Sequence, residues 1–237
     1  MIRFPANDRL FVRKRLCFNT TQPALRDRYD KIARHLYYFA TDPNADPNIR
    51  PRQQLLWRME RKAEGWGPSK RVDDLVPLRP GKVIMRLAFT TSGNIYFDMG
   101  GPDEKGQWKW EVWWRPMKEG KLQAAERVPG PVNAGDINWT PFVAPDESYL
   151  IVSSSRMNNG DSGDHYISFR QADGSWGDPV SMGSTVNTSE YQERFPAVSP
   201  DGKYFFFARS VPETYSDVYW VSTKLIEELR AEASSAK

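Results

Sequence analysis

An aromatic β-strand signal recurs four times in this chain at a nearly constant interval, and that repetition limits the possible folds more than any other feature. The signals are Leu36-Tyr37-Tyr38-Phe39, Ile95-Tyr96-Phe97, Tyr149-Leu150-Ile151 and Tyr204-Phe205-Phe206, with first residues 59, 54 and 55 apart. A second strand signal keeps step with the first at Leu55-Leu56-Trp57, Val112-Trp113-Trp114, His165-Tyr166-Ile167 and Val218-Tyr219-Trp220. Hairpin signals follow at Glu64-Gly65, Glu119-Gly120 and Asp173-Gly174, where glycine supplies the positive φ that a tight hairpin needs. A last strand is expected over 69–72, 122–128 and 179–182, and the pairs Val132-Asn133 and Val186-Asn187 lead into the next unit. The turn before the aromatic strand reads Ser199 to Gly202 (SPDG), Ala144 to Glu147 (APDE) and Thr90 to Gly93 (TTSG). Proline at the second turn position and aspartate at the third suit a type I turn.

Four strands per unit at this period predict the blades of a β-propeller. The expected fold class is therefore all-β: one propeller domain over 1–237, with blades at about 36–77, 78–135, 136–190 and 191–222. A short C-terminal helix and tail occupy 223–237, with Leu225, Ile226 and Leu229 on one side. Residues 1–35 diverge from the repeat: Arg9 to Phe18 reads as a strand, and Pro23 to His35 has helical spacing. Because the last unit shows only three strands, Arg9 to Phe18 is expected to supply its outer strand and close the ring.

Aromatic content, 9 Trp, 10 Tyr and 12 Phe, suits sheet faces. The 33 Lys and Arg against 30 Asp and Glu leave no field that would attract nucleic acid. Basic residues do gather before Leu36, at Val12-Arg13-Lys14-Arg15 among others, and read as a solvated strand or tail. The single Cys17 excludes an internal disulfide framework and reads as a small buried hydrophobe. No run approaches the roughly 18 apolar residues of a membrane span, and no apolar core of a signal peptide is visible.

Residues that recur at one blade position are expected to hold the blade, whereas a binding residue should break the repeat. By that test Asp136 and Glu190, 54 residues apart, read as turn or blade-linking acids. The positions that break symmetry are Asn138-Trp139, Glu193-Arg194 and Arg86, where the inner strands begin, and these five residues are the candidate binding group. A glycosidase or lyase would need two carboxylates, for which Glu193 with Asp136 or Glu190 are the available acids. Trp108 and Trp139 are placed to stack on sugar rings. His35 and His165 lie in different blades, which argues against a shared metal or a Ser-His-Asp triad. The run Asn158 to Asp164 alternates oxygen ligands as a calcium loop does but lacks the closing glutamate, and reads as a solvated turn. No metal or cofactor is called for. Trp57, Trp114 and Trp220, with Ile167, are expected to form a packing column between blades, and Phe206→Ala is expected to cost about 3–5 kcal/mol as a core truncation.

At ERFPAVSPDGKYFFFARS (193–210) and DVYWVSTKLIEEL (217–229) the sequence resembles the TolB-like propeller family, whose blades carry a Pro-Asp-Gly repeat related to the Trp-Asp repeat. The resemblance is closest to bacterial members ending in a "DIYWV…IIEEL" segment; it is strong over about 78–229 and weaker over 36–76. It implies a ring that usually has more than four blades, so that this chain is a short form or lacks its first blades. It implies protein-binding or periplasmic scaffold roles and favours a periplasmic or secreted setting. The resulting expectation is a non-catalytic binding or scaffold propeller that engages a protein or glycan partner through its channel-mouth rim. The alternative is a carbohydrate-active hydrolase or lyase. The sequence assigns neither compartment nor oligomeric state.

Overall fold

Each blade must bury both of its faces, so its aromatic and β-branched residues point alternately toward the preceding and the following blade. In the computed structural model, which describes residues 35–235 apart from 45, 47, 50–52, 136, 156–162 and 211–215, four antiparallel sheets follow one another as four propeller blades. Blade 2 runs from inner to outer strand as Leu87–Phe89, Ile95–Pro102, Trp108–Arg115 and Glu126–Arg127. Blade 3 repeats this order with Asn138–Val143, Tyr149–Ser154, Asp164–Phe169 and Val180–Ser181. Blade 1 shows the second, third and outer strands, His35–Thr41, Gln54–Lys62 and Lys70–Arg71. Blade 4 has three strands among the described residues, Gln192–Val198, Tyr204–Ser210 and Ser216–Ser222, and is followed by the helix Lys224–Ser235. The strand expected at Arg9 to Phe18 and the helical spacing from Pro23 lie outside the described residues. His35 itself opens a strand rather than ending a helix.

The outer strands are only two residues long because a side chain finishes the pairing. Asn133 accepts from the Val112 N–H at 2.7 Å and donates back to the Val112 carbonyl at 2.9 Å. Asn187 does the same for His165, at 2.8 and 3.0 Å, and in blade 1 Asp73 accepts from the Leu56 N–H at 2.7 Å. An asparagine carboxamide carries both a donor and an acceptor, so it can stand in for one peptide unit of a neighbouring strand. This is the physical content of the repeated Val-Asn pair.

The core is three layers, each between successive blades. Tyr37 and Leu56 of blade 1 meet Ile95, Phe97 and Met99 of blade 2. Tyr96 and Val112 on the other face of blade 2 meet Leu150, Val152 and Tyr166 of blade 3. Ile151, Ile167 and Phe169 then meet Phe205 and Phe207 of blade 4, and Ile226 and Leu229 of the helix cover that layer.

These layers correct two expectations. The tryptophan column loses one member: Trp114 and Ile167 face the following blade, whereas Trp57 stacks on Tyr38 on the opposite face of blade 1, away from blade 2. Trp220 keeps the parity of Trp114 and Ile167, on the face of blade 4 away from blade 3, and lies edge-on to Tyr204 at 5.0 Å. Phe206, cross-strand from Trp220, shares that outer face and is half-buried, while Phe205 and Phe207 fill the core. An offset of one residue in a strand exchanges its two faces, which displaces Trp57. Phe206 keeps the parity of the buried Ile151 but lies on the last blade, whose far face no further blade covers among the described residues.

The turn before the aromatic strand also has a blade-specific use. Its last position is left-handed in all three cases, Gly93 at φ 89°, Glu147 at 59° and Gly202 at 72°. Glycine is the easy choice there. Glu147 occupies it because its carboxylate accepts from Ser92 Oγ, Asn94 Nδ2 and Tyr96 OH of the preceding blade, at 2.8, 3.0 and 2.7 Å. A residue that breaks the repeat can therefore be a staple between blades.

Candidate functional site

The inner strands of blades 3 and 4 begin with the same distortion. Each has a bulge, between Trp139 and Phe142 and between Arg194 and Ala197, and each places a non-glycine residue at positive φ just before a proline. Those residues are Thr140 at φ 44° and Phe195 at 56°. Pyrrolidine crowding keeps a pre-proline residue out of the right-handed helical region, and a bulge re-aims neighbouring side chains. The outcome is that Trp139 and Arg194 come together, with the Arg194 guanidinium carbon 4.9 Å from the centre of the Trp139 ring.

Trp139 is the middle of a longer strip. Trp110 lies 5.6 Å from it between ring centres, and Trp108 lies 6.4 Å beyond Trp110. Trp110 is buried and sits flat on Gly100, where a Cβ would meet the indole at 2.4 Å. Trp108 is 47% exposed. The strip joins blades 2, 3 and 4 at the end of the molecule where the inner strands begin and the second and third strands are connected. Of the expected site residues, Trp139 and Arg194 are assembled here with Trp108. Trp110 escaped the reading because the third strands were compared from Val112 onward, past the position that Trp110 occupies.

Glu193 and Asn138 perform a shared task inside the fold. Asn138 accepts from Ser154 Oγ at 2.9 Å and donates to the carbonyl of Ala134 at 3.1 Å. Glu193 accepts from Arg209 Nε at 2.8 Å and from Thr188 Oγ1 at 3.0 Å. Asn138 and Glu193 thus each tie the turn before the inner strand to the second strand of the same blade, at register partners Asn138–Ser154 and Glu193–Arg209. Different side chains conceal one role. Glu193 is fully buried; burial pushes its carboxyl upward, and Arg209 and Thr188 pull against that shift. Glu190 is exposed. Asp136 and residues 158–162 of the expected solvated turn lie outside the described residues. Among the described residues no group of three His, Cys, Asp or Glu is placed to hold a metal ion.

Arg86 faces a different feature, a buried polar chain that the repeat does not announce. Asp98 accepts from the N–H groups of Met85, Arg86 and, in blade 3, Thr140, at 2.8, 3.0 and 2.8 Å. Thr140 Oγ1 and Ser153 Oγ share a hydrogen bond of 2.8 Å, and Ser153 Oγ lies 3.3 Å from His165 Nδ1. The available signal was the aspartate in the otherwise apolar run Ile95-Tyr96-Phe97-Asp98, since an unpaired carboxylate is rarely buried. The order of groups differs from a catalytic triad: the serine meets Nδ1, and His165 Nε2 is sealed without a hydrogen-bond partner. Below the chain, the inner strands of blades 2, 3 and 4 line a cleft of about 390 Å³ whose walls include Leu87, Phe89, Phe142 and Val198.

Burial holds the Asp98 carboxyl up at about 6, despite its three N–H donors, and holds the His165 imidazole down at about 3. The signs oppose. On acidification from about pH 6 to 4 the native Asp98 takes up a proton before its unfolded counterpart, which favours folding. The unfolded His165 takes up a proton while the native ring stays neutral, which favours unfolding. In His165→Gln the second contribution is gone. The stability difference, variant minus wild type, is expected to climb by about 2–3 kcal/mol over that interval, at about 1.4 kcal/mol per pH unit. Denaturant melts at several pH values measure it, and a flat difference would contradict the assignment.

No protein-family model matches this sequence, and no curated protein matches it either. Solved structures similar in fold include a TolB from Agrobacterium tumefaciens, at 16% identity and TM-score 0.45, covering 78% of this chain and 57% of that one. A TolB from Acinetobacter baumannii matches at 12% identity and TM-score 0.45, covering 81% of this chain. A thermostable family-43 glycoside hydrolase matches at 15% identity and TM-score 0.42, covering 72% of this chain and 67% of that one. The chain spans 57% and 38% of the two TolB structures. The likeness is one of propeller fold. No helix among the described residues is long and apolar enough to cross a membrane.

Proposed function

We propose that this protein is a non-catalytic binding propeller that holds a protein or glycan partner on its rim through Trp108, Trp139 and Arg194, braced by the buried Trp110. The observation that carries this reading is the continuous strip of indole rings, exposed at Trp108 and ending in a guanidinium, spread over three blades. Exposed tryptophan is costly to keep in water and is enriched where partners bind. Arg86 and the buried polar chain set the spacing of the blades beneath the strip. The burial of Glu193 and its ion pair with Arg209 favour binding over acid catalysis, because a general acid must reach the substrate oxygen.

Titration of intrinsic tryptophan fluorescence with a panel of oligosaccharides and peptides tests the reading. Trp108→Ala is expected to weaken whatever binds by tenfold or more while leaving the melting temperature within about 2 °C, since that ring is half in solvent. Full binding by Trp108→Ala and Trp139→Ala would refute the rim. Turnover of a sugar by wild type that is lost in a folded Glu193→Gln would establish the enzyme instead.

A further inference from the structure

Several partly buried arginines among the described residues reach oxygen acceptors, and Arg194 does not. Arg209 pairs with Glu193 and also donates to the Val186 carbonyl at 2.8 Å. Arg115 donates to the carbonyls of Gln123, Asp74 and Leu122, and Arg230 reaches the Ser148 carbonyl. Arg194 has only the Trp139 ring, and its Nε is sealed from solvent without an acceptor. Burial draws its guanidinium below the ordinary range, as expected for a charge without a counter-ion. Half-burying an uncompensated cation opposes folding, and a ligand that brings the missing anion removes that cost.

Resting on the rim reading above, we propose that the strip takes an acidic glycan, with Arg194 holding a uronate carboxylate and Trp108 stacking on a neighbouring sugar ring. A guanidinium presents a planar fork that matches a carboxylate, which an ammonium cannot do. Ring centres at 6.4 and 5.6 Å, leading to a cation at 4.9 Å, set a stepwise spacing that suits successive pyranoses. Trp110 is the buried rung that fixes the two outer rings, and Gly100 beneath it leaves room for the indole. An extended peptide would bring a row of backbone donors and acceptors, and recognition of such a row uses a free strand edge or a groove. The strip offers ring faces and one fork instead.

Calorimetric titration at physiological salt, where long-range attraction between exposed charges is screened, tests the proposal. The probes are hexamers of mannuronate and of hyaluronan, the same hexamers with carboxyl groups reduced to alcohols, and an acidic peptide. An acidic hexamer is expected to bind wild type, and reduction of its carboxyls or the change Arg194→Gln is expected to weaken binding tenfold or more. Arg194→Lys, which keeps the charge but loses the fork, should fall between them. Arg194→Gln is expected to keep or raise the melting temperature, whereas a residue that merely supported the fold would lower it. Equal binding of acidic and reduced hexamers overturns the carboxylate while leaving the rim intact. Binding of the peptide alone, still dependent on Trp108, overturns the glycan and leaves the rim intact. Silence from every probe overturns both.

Discussion

Replacing Phe205 with alanine is expected to lower stability by about 3–5 kcal/mol, the range for a buried aromatic truncation. Phe205 is fully buried, 5.6 Å from Phe207 and edge-on to His165 at 5.7 Å between ring centres. It lies in the layer shared by blades 3 and 4 and the C-terminal helix, so the cavity would open where three elements meet. The neighbouring Phe206→Ala is expected to cost about 1 kcal/mol, closer to an ordinary surface change, because that ring lies on the outer face. Parallel denaturant melts of the two variants measure both values. Similar losses at the two positions would show that the alternation of this strand is misplaced.

The second large effect concerns a charge. Arg209→Met is expected to cost about 3–5 kcal/mol at neutral pH, because it leaves the Glu193 carboxylate buried without its cation. The side chains are 12% and 0% exposed, and their atoms are 2.8 Å apart. The carboxyl of Glu193 is already pushed up by burial, and losing Arg209 pushes it further, so protonation becomes the easier way to fold. The loss should therefore shrink as pH falls. The double variant Glu193→Leu with Arg209→Met should regain most of the stability, since neither charge then remains inside. A loss below about 1 kcal/mol in the single variant, the scale of a solvent-exposed pair, would mean that water reaches the site.

The blade count and the turns were legible because each rests on a local pattern repeated at a fixed interval. The strand expected over 122–128 instead divides into Lys121–Leu122, which closes a separate hairpin, and the outer strand Glu126–Arg127. Faces were less legible. Tyr204-Phe205-Phe206 and Ile95-Tyr96-Phe97 look equivalent as strings, yet Phe206 is outside and both Tyr96 and Phe97 are inside. Only the position of the neighbouring blade decides which parity faces inward. The site was legible in half. Trp139 and Arg194 stood out as residues that do not repeat, and the structure joins them. Asn138 and Glu193 stood out for the same reason but perform one shared bracing task with different chemistry. Deviation from a repeat registers a change of side chain, and a change of side chain can preserve a role. The links from Asp98 to Thr140 and from Phe195 N–H to Thr140 Oγ1 at 3.4 Å cross from blade to blade, over separations that no local pattern encodes.

The strip of indoles also gives the molecule an optical handle. Trp108 and Trp110 are inclined at 52°, and Trp110 and Trp139 at 56°, neither parallel nor perpendicular. Chromophores this close and this skewed couple their transitions and produce a paired positive and negative band in circular dichroism. Trp108 and Trp110 share one strand of blade 2, but the Trp110–Trp139 pair crosses to blade 3, so the part of the couplet lost in Trp139→Phe reports the docking of one blade on the next. The whole couplet should vanish in Trp110→Phe while the backbone signal persists, which makes light absorption a gauge of how the blades are held together.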